Sequence, residues 1–287
     1  MRRLVGLGLV AGSAVAYSLA GFFTRLIPLD VMTLLFWRGI FAGGMIAALI
    51  VLRHRRGAWA ATRAVGVEGL IVAALSVLAS YLYLAAFRHT TVADVSVIYA
   101  TLPLVASGLA WLLLREREGW RAMAASMAAL AGVALMTGGT VGAGRLTGDL
   151  LAFGMTLTFA LMMVLIRRGR AVSMLPAVAV SCFLTSLLAW PFAQISGISG
   201  RAMFQLGLFG VTQLGFGLVL LTLGMRRVSA AQAALVALLD TPLAPVWVWL
   251  AFDEAPPALT LVGGAIILAA VVWNMVGADR QAAEAPA

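Results

Sequence analysis

Two ionisable side chains fall inside long apolar runs: Arg38, about a third of the way into 30–52, and Asp240, near the middle of 229–252. A charge in hydrocarbon is costly enough to mark a functional candidate by default. Asp240 can bind an ammonium, carry a proton, or cap the helical segment that follows it. Arg38 can contact a ligand, donate to backbone carbonyls at helix ends, or reach the interface with its head group. Around them, polar and aromatic residues recur at helical spacing: Ser13 with Tyr17; Ser76, Ser80 and Tyr83; Ser96, Tyr99, Pro103 and Ser107. Ser229, Gln232 and Asp240 repeat the pattern later, and Thr212 with Gln213 and Thr158 with Phe159 add shorter polar patches. Each set marks one helical face. Such stripes serve either as interhelical hydrogen bonds, weak in the measured case, or as the wall of a cavity; the cavity is the reading adopted here.

The elements that must position these residues are membrane helices. The chain has 287 residues, 63% of them hydrophobic and 11% charged, far from the balance of a soluble domain. Ten segments approach the ~20 apolar residues needed to cross a bilayer: 4–25, 30–52, 66–87, 92–114, 120–138, 147–167, 174–196, 203–224, 229–252 and 257–277. Every basic residue is Arg, and the net charge is +9. With the N-terminus inside, fifteen Arg fall on the cytoplasmic side and four (Arg25, Arg88, Arg145, Arg201) outside. That is a positive-inside distribution with both termini cytoplasmic, and the basic balance reports topology and contact with anionic lipid headgroups. It offers no basic groove interleaved with aromatics for nucleic acid.

Other features carry less. Arg2, Arg3 and the small residues at 14–16 imitate a secretory leader, but the apolar stretch continues through Ile27 and has a counterpart in the second half. Cys182 is the sole cysteine, and neither His54 nor His89 has a metal-ligand neighbour at useful spacing, so neither metal nor cofactor is expected. The glycine-rich stretch 138–148 lacks the spacing and the strand of a phosphate loop and reads as a linker. Arg88, His89 and Asp94 cluster at the outer end of helices three and four, as a solvated rim or part of an outer gate. Most of the eight Trp lie near the span ends as a headgroup belt, with Trp37 deeper; all four Tyr (17, 81, 83, 99) belong to the first half. Helices five and ten are nearly pure apolar, Gly and Ala, suited to packing or a dimer face.

The chain repeats itself. Trp111 to Glu116 is matched by Trp249 to Glu254, 138 positions later, and Tyr17 and Arg25 by Phe159 and Arg167, 142 positions later. Five runs per half make the second copy enter the membrane from the other side. The boundaries are 1–138 for the first repeat, 139–146 for a connecting loop, 147–277 for the second repeat and 278–287 for a disordered cytoplasmic tail. Inverted repeats built with discontinuous helices are the architecture of secondary transporters. Pro103 in helix four and Pro242 and Pro245 in helix nine remove backbone donors near mid-span and predict breaks there.

These features together resemble the EamA-like branch of the drug/metabolite transporter superfamily. The likeness rests on the two five-helix repeats, Arg38 in helix two, the segment from Pro103 to Glu116, and the segment from Asp240 through Trp249 to Glu254. It implies an inner-membrane exporter with a central cavity between the halves, handling amino acids, other metabolites, drugs or nucleotide sugars. At the first-helix position where many members carry Trp, this chain has Tyr17. The residues expected at the substrate are Tyr17, Ser80, Tyr83, Tyr99, Phe159, Gln213, Gln232 and Asp240. Those expected in coupling or gating are Arg38, Asp94, Pro103, Asp240 and Pro242. A small amphipathic metabolite, an amino acid in particular, suits a neutral, aromatic wall with one acid and one base. Nucleotide sugars call for several convergent cations, and a cationic drug remains the alternative. Coupling is either to a proton through Asp240 or absent. A membrane enzyme lacks clustered carboxylates, histidines or a nucleophile with its base, and a non-transporting receptor leaves the inverted repeats unexplained. The expected partners are a small-molecule substrate and membrane lipids, with no nucleic acid. A homodimer is possible, and a monomer suffices for transport.

Overall fold

The computed structural model describes residues 2–54, 66–90, 92–116, 118–137, 146–169, 174–253 and 255–284. Glu254, Trp59, Arg117 and nearly all of the inter-repeat loop lie outside the described residues. Among the described residues every regular element is helical. Nine helical stretches among the described residues are long and apolar enough to cross a membrane, and Trp120–Met136 is a shorter apolar helix in the fifth position.

We number ten helices in chain order. They are α1 (Arg2–Ser18 and Ala20–Leu26), α2 (Val31–His54), α3 (Gly66–His89), α4 (α4a, Val92–Tyr99; α4b, Leu102–Leu114) and α5 (Trp120–Met136). The second half has α6 (Leu146–Arg168), α7 (Leu175–Ala189), α8 (Gly200–Phe209, a π-helical Gly210–Phe216, then Gly217–Met225), α9 (α9a, Ala230–Ala237; α9b, Asp240–Phe252) and α10 (Ala258–Glu284). Helix α10 thus continues past 277, where the apolar span ends and the sequence reading begins a tail.

The 138-residue register holds to the residue in α4 and α9: both halves of α9 begin and end 138 positions after those of α4. The breaks have the same backbone chemistry. Thr101 N–H donates to the Ile98 carbonyl and Leu239 N–H to that of Val236, each at 3.1 Å. These i→i−3 bonds tighten the chain where an α-helical bond is missing. The prolines explain why. Pro103 and Pro242 have no N–H to give the carbonyls of Tyr99 and Leu238, so the ladder cannot continue; Leu238 instead accepts from Thr241 at 3.1 Å. At their far ends α4b and α9b stop the same way, with Arg115 (φ 55°) and Asp253 (φ 56°) left-handed. Their N–H groups return to the carbonyls of Trp111 and Trp249. That conformation is uncommon for residues with a side chain, so its recurrence is structural evidence for the duplication.

The two ends of the bundle differ in chemistry. We call one the Glu116 face (Arg3, Glu116, Glu118, Arg167, Ser229) and the other the Asp30 face. At the latter Asp30 caps α2, accepting from the Thr33 amide at 2.9 Å and from its hydroxyl. The Thr33 hydroxyl bond is the main reason that the Asp30 carboxyl lies below its ordinary range. Thr33 in turn accepts from the Gln194 amide at 2.7 Å, tying α2 to the chain after α7. Helices α5 and α10 meet through glycine: a Cβ on Gly132 would lie 2.7 Å from the Gly263 carbonyl oxygen. Outward-facing Leu52, Phe192, Phe204 and Leu250 stay exposed, as lipid contact requires.

Candidate functional site

A cavity of about 500 Å³ lies between the repeats. Its wall is built where helices are interrupted. Tyr17 and Ser18 come from the end of the first half of α1, Tyr99 from the end of α4a, and Asp240 and Thr241 from the start of α9b. Gln213 comes from the π-helical turn of α8. Each interruption withdraws backbone from the regular ladder and is tolerated at membrane depth because it lines a cavity or is buried in protein. The α1 break is held by Ser18, whose hydroxyl donates to the Val15 carbonyl and accepts from the Trp247 indole of α9b at 2.8 Å. Trp247 therefore belongs to a contact between the halves, not to a headgroup belt.

Charge enters from two sides. On α2, Arg38 lines the cavity, donates through one Nη to the Gln213 Oε1 at 3.4 Å, and lies 5.4 Å from the centroid of the Phe209 ring. Gln213 is itself buried, and its amide nitrogen faces the Tyr17 carbonyl at 3.5 Å. On α9b, the Asp240 carboxylate accepts from the Thr241 hydroxyl at 3.1 Å. Among the described residues no ion pair joins Arg38 to Asp240. Tyr17 and Tyr83 line the same cavity as both charges. The ring of Tyr99 lies 6.2 Å from that of Phe159, a tilted pair on the opposing wall.

The cavity occupies the Asp30-ward part of the bundle: Leu35 and Arg38 lie near the start of α2, Val95 and Ser96 near the start of α4a. Toward the Glu116 face it is closed by a core in which Leu7, Val10, Met163, Met225 and Leu235 are fully buried. Polar contacts between the repeats cover that core. Glu116, just after α4b, pairs with Arg167 at the end of α6 (3.4 Å), and Arg167 also donates to the Arg226 carbonyl at 3.3 Å. Burial chiefly pushes the Glu118 carboxyl above its usual range, against a hydrogen bond from Ser229 that pulls it down; the neighbouring Glu116 adds to the rise.

Of the residues expected at the substrate, Tyr17, Ser80, Tyr83, Tyr99, Phe159, Gln213 and Asp240 line this one cavity, with Arg38 from the gating set. Gln232 does not. It lies in the first turn of α9a, where its amide is capped by the Ser229 hydroxyl at 3.3 Å, a full helical segment from Asp240. Asp94 is not at a solvated rim: it is buried and accepts from the Thr90 hydroxyl, which also reaches Asp149 of α6 at 2.9 Å. Pro103 and Pro242 are buried behind the wall, near the start of the second half-helices. Tyr81 points away from the cavity and is 62% exposed, and Thr212 turns its hydroxyl back to the Leu208 carbonyl. Sequence reasoning missed α7, which contributes Ser181, Cys182 and Thr185. Their i, i+1, i+4 spacing was a readable polar stripe, hidden by treating Cys182 only as an unpaired cysteine. It also missed the interruptions of α1 and α8; the latter was signalled by Gly210, Gly215 and Gly217.

An all-helical, multi-pass membrane protein with a cavity between two repeats defines the class: a transporter scaffold. The chain belongs to the EamA-like transporter family, whose model matches residues 4–138 and again 146–276, once for each repeat. Comparison with curated proteins gives no match. Among solved structures, a crystal structure of a protein 19% identical superposes with a TM-score of 0.79 over 98% of each chain. At that identity the likeness shows the fold alone.

Proposed function

We propose that this membrane transporter exports small zwitterionic metabolites, amino acids above all, across the inner membrane by alternating access of its two repeats. The carrying observation is the composition of the cavity: one guanidinium, one carboxylate and aromatic rings around about 500 Å³. An amino acid presents the complement of each. Its ammonium pairs with Asp240, and its side chain packs among Tyr17, Tyr83, Tyr99 and Phe159. The distribution of Arg supports placing both termini and the Glu116 face in the cytoplasm. The cavity then opens outward and the Glu116–Arg167 contact closes the inner side, so loading of substrate from the cytoplasm requires that contact to part. Rocking uses the matched breaks of α4 and α9 as bending points. A lipophilic cation is the second reading, favoured by Asp240 beside the same rings.

Counterflow into proteoliposomes loaded with a panel of amino acids tests this. Saturable exchange of one or more neutral amino acids is expected. Exchange of cationic drugs with none of any amino acid would establish the second reading instead.

A further inference from the structure

Among the described residues Arg38 has no ion-pair partner. Its Nε is buried with no hydrogen-bond partner, one Nη reaches Gln213 only at 3.4 Å, and the guanidinium lies over the face of Phe209. A guanidinium carries five donors in a planar fork matched to a carboxylate. A fork left incomplete on a cavity wall is open to a ligand carboxylate, whose two oxygens match its geometry. The surroundings hold the fork rather than satisfy it. Gln213 is fixed by the π-helical turn and by Tyr17, and at Gly210, one turn earlier, a Cβ would lie 2.7 Å from the Arg38 carbonyl. The close approach of α8 to α2 at that glycine is what brings Gln213 to Arg38.

We infer that Arg38, positioned by Gln213 and Phe209, is the anchor for the carboxylate of the substrate, which makes the cavity selective for zwitterions over amines. This rests on the amino-acid reading above and deepens it. Asp240 alone accepts any cation of suitable size; Arg38 adds the second, opposite requirement. The two charges stand on different repeats, α2 and α9b, so a zwitterion bridges the halves as neither an amine nor an acid does.

Three probes separate the contributions: phenylalanine, 2-phenylethylamine lacking its carboxylate, and 3-phenylpropionate lacking its ammonium. Binding of each is measured on purified protein, with Arg38→Gln and Gln213→Glu as variants. Gln213→Glu supplies Arg38 with an internal carboxylate, so it satisfies the buried charge and keeps the fold while blocking the site. Wild-type protein is expected to bind phenylalanine best. Both variants are expected to lose phenylalanine affinity by about tenfold to hundredfold, with amine affinity retained or raised in Arg38→Gln, since a like charge leaves the cavity. If wild-type protein prefers phenylalanine and Gln213→Glu, with an unaltered melting temperature, binds it equally well, the Arg38 assignment is overturned while the amino-acid reading stands. If wild-type protein binds none of the three, both are overturned.

Discussion

Helices α4 and α9 share a break, a cap and a register, yet their breaks face different demands. Leu102, first residue of α4b, is completely buried in the core, whereas its equivalent 138 positions later, Asp240, lines the cavity beside Thr241. In the residue before each break the position is shared and the side chain differs: Tyr99 and its counterpart Ala237 both line the cavity, one with a phenol ring and the other with a methyl group. Duplication therefore preserved the backbone and let the side chains diverge. The backbone is constrained by hydrogen-bond satisfaction in lipid, which has few solutions. The side chains at the break are free of that constraint, and under the proposed function it is the substrate that selects them.

Exchanging the two residues breaks the comparison most severely. Leu102→Asp places a charge in a packed core with no cavity and is expected to cost about 3 kcal/mol. Detergent-solubilised protein should melt far lower or fail to express as a monodisperse species. Asp240→Leu restores the symmetry in the other direction. It should leave the melting temperature equal or higher, since a membrane charge is removed, while exchange falls by about hundredfold. A folded Leu102→Asp with normal stability would mean that the two sites are not differently buried.

Smaller effects separate the two faces. Glu116→Gln removes the ion pair with Arg167; the side chains are 33% and 13% exposed, so solvent screens the loss to about 1 kcal/mol. Labelling of a cysteine placed at Val228, in a Cys182→Ser background, should rise severalfold from the Glu116 side. The smallest effect is pH. The closed face raises the Glu118 carboxyl above its ordinary 4.5, so closure favours the protonated acid. It is strongest in acid and weakens as pH rises from about 4.5 through the raised value. The same labelling should therefore increase with pH across that window, and the slope should vanish in Glu118→Gln.

Most of the scaffold was legible because it follows from few rules. Apolar length gave the helices, and proline at 103 and 242 gave the breaks, whereas Pro245, read the same way, lies within the continuous α9b. The cavity wall was readable where polar residues stood at helical spacing, as for Tyr17, Ser80, Tyr83 and Tyr99. Gln232 shows the limit of that reasoning: it shares a stripe with Asp240 across a break that resets the helical phase, so spacing no longer implies a common face. The burial of Asp94 was not legible because Asp149, joined to it through Thr90, lies on another helix far along the chain. Gly210, Gly215 and Gly217 mark where α8 departs from a regular helix, but that the turn aims Gln213 at Arg38 depends on how α8 meets α2, a tertiary contact.

The central claim is that substrate sits in the cavity between the matched breaks and is held there by the unmatched residue, Asp240. Substrate protection tests it most directly. In a Cys182→Ser background, Ser80→Cys places a thiol on the cavity wall, and its labelling rate is read with and without an amino acid that the carrier exchanges. The account predicts that the amino acid slows labelling of this thiol, and that adding Asp240→Leu abolishes the protection. Labelling that ignores every exchanged amino acid, or protection that survives Asp240→Leu, would contradict it.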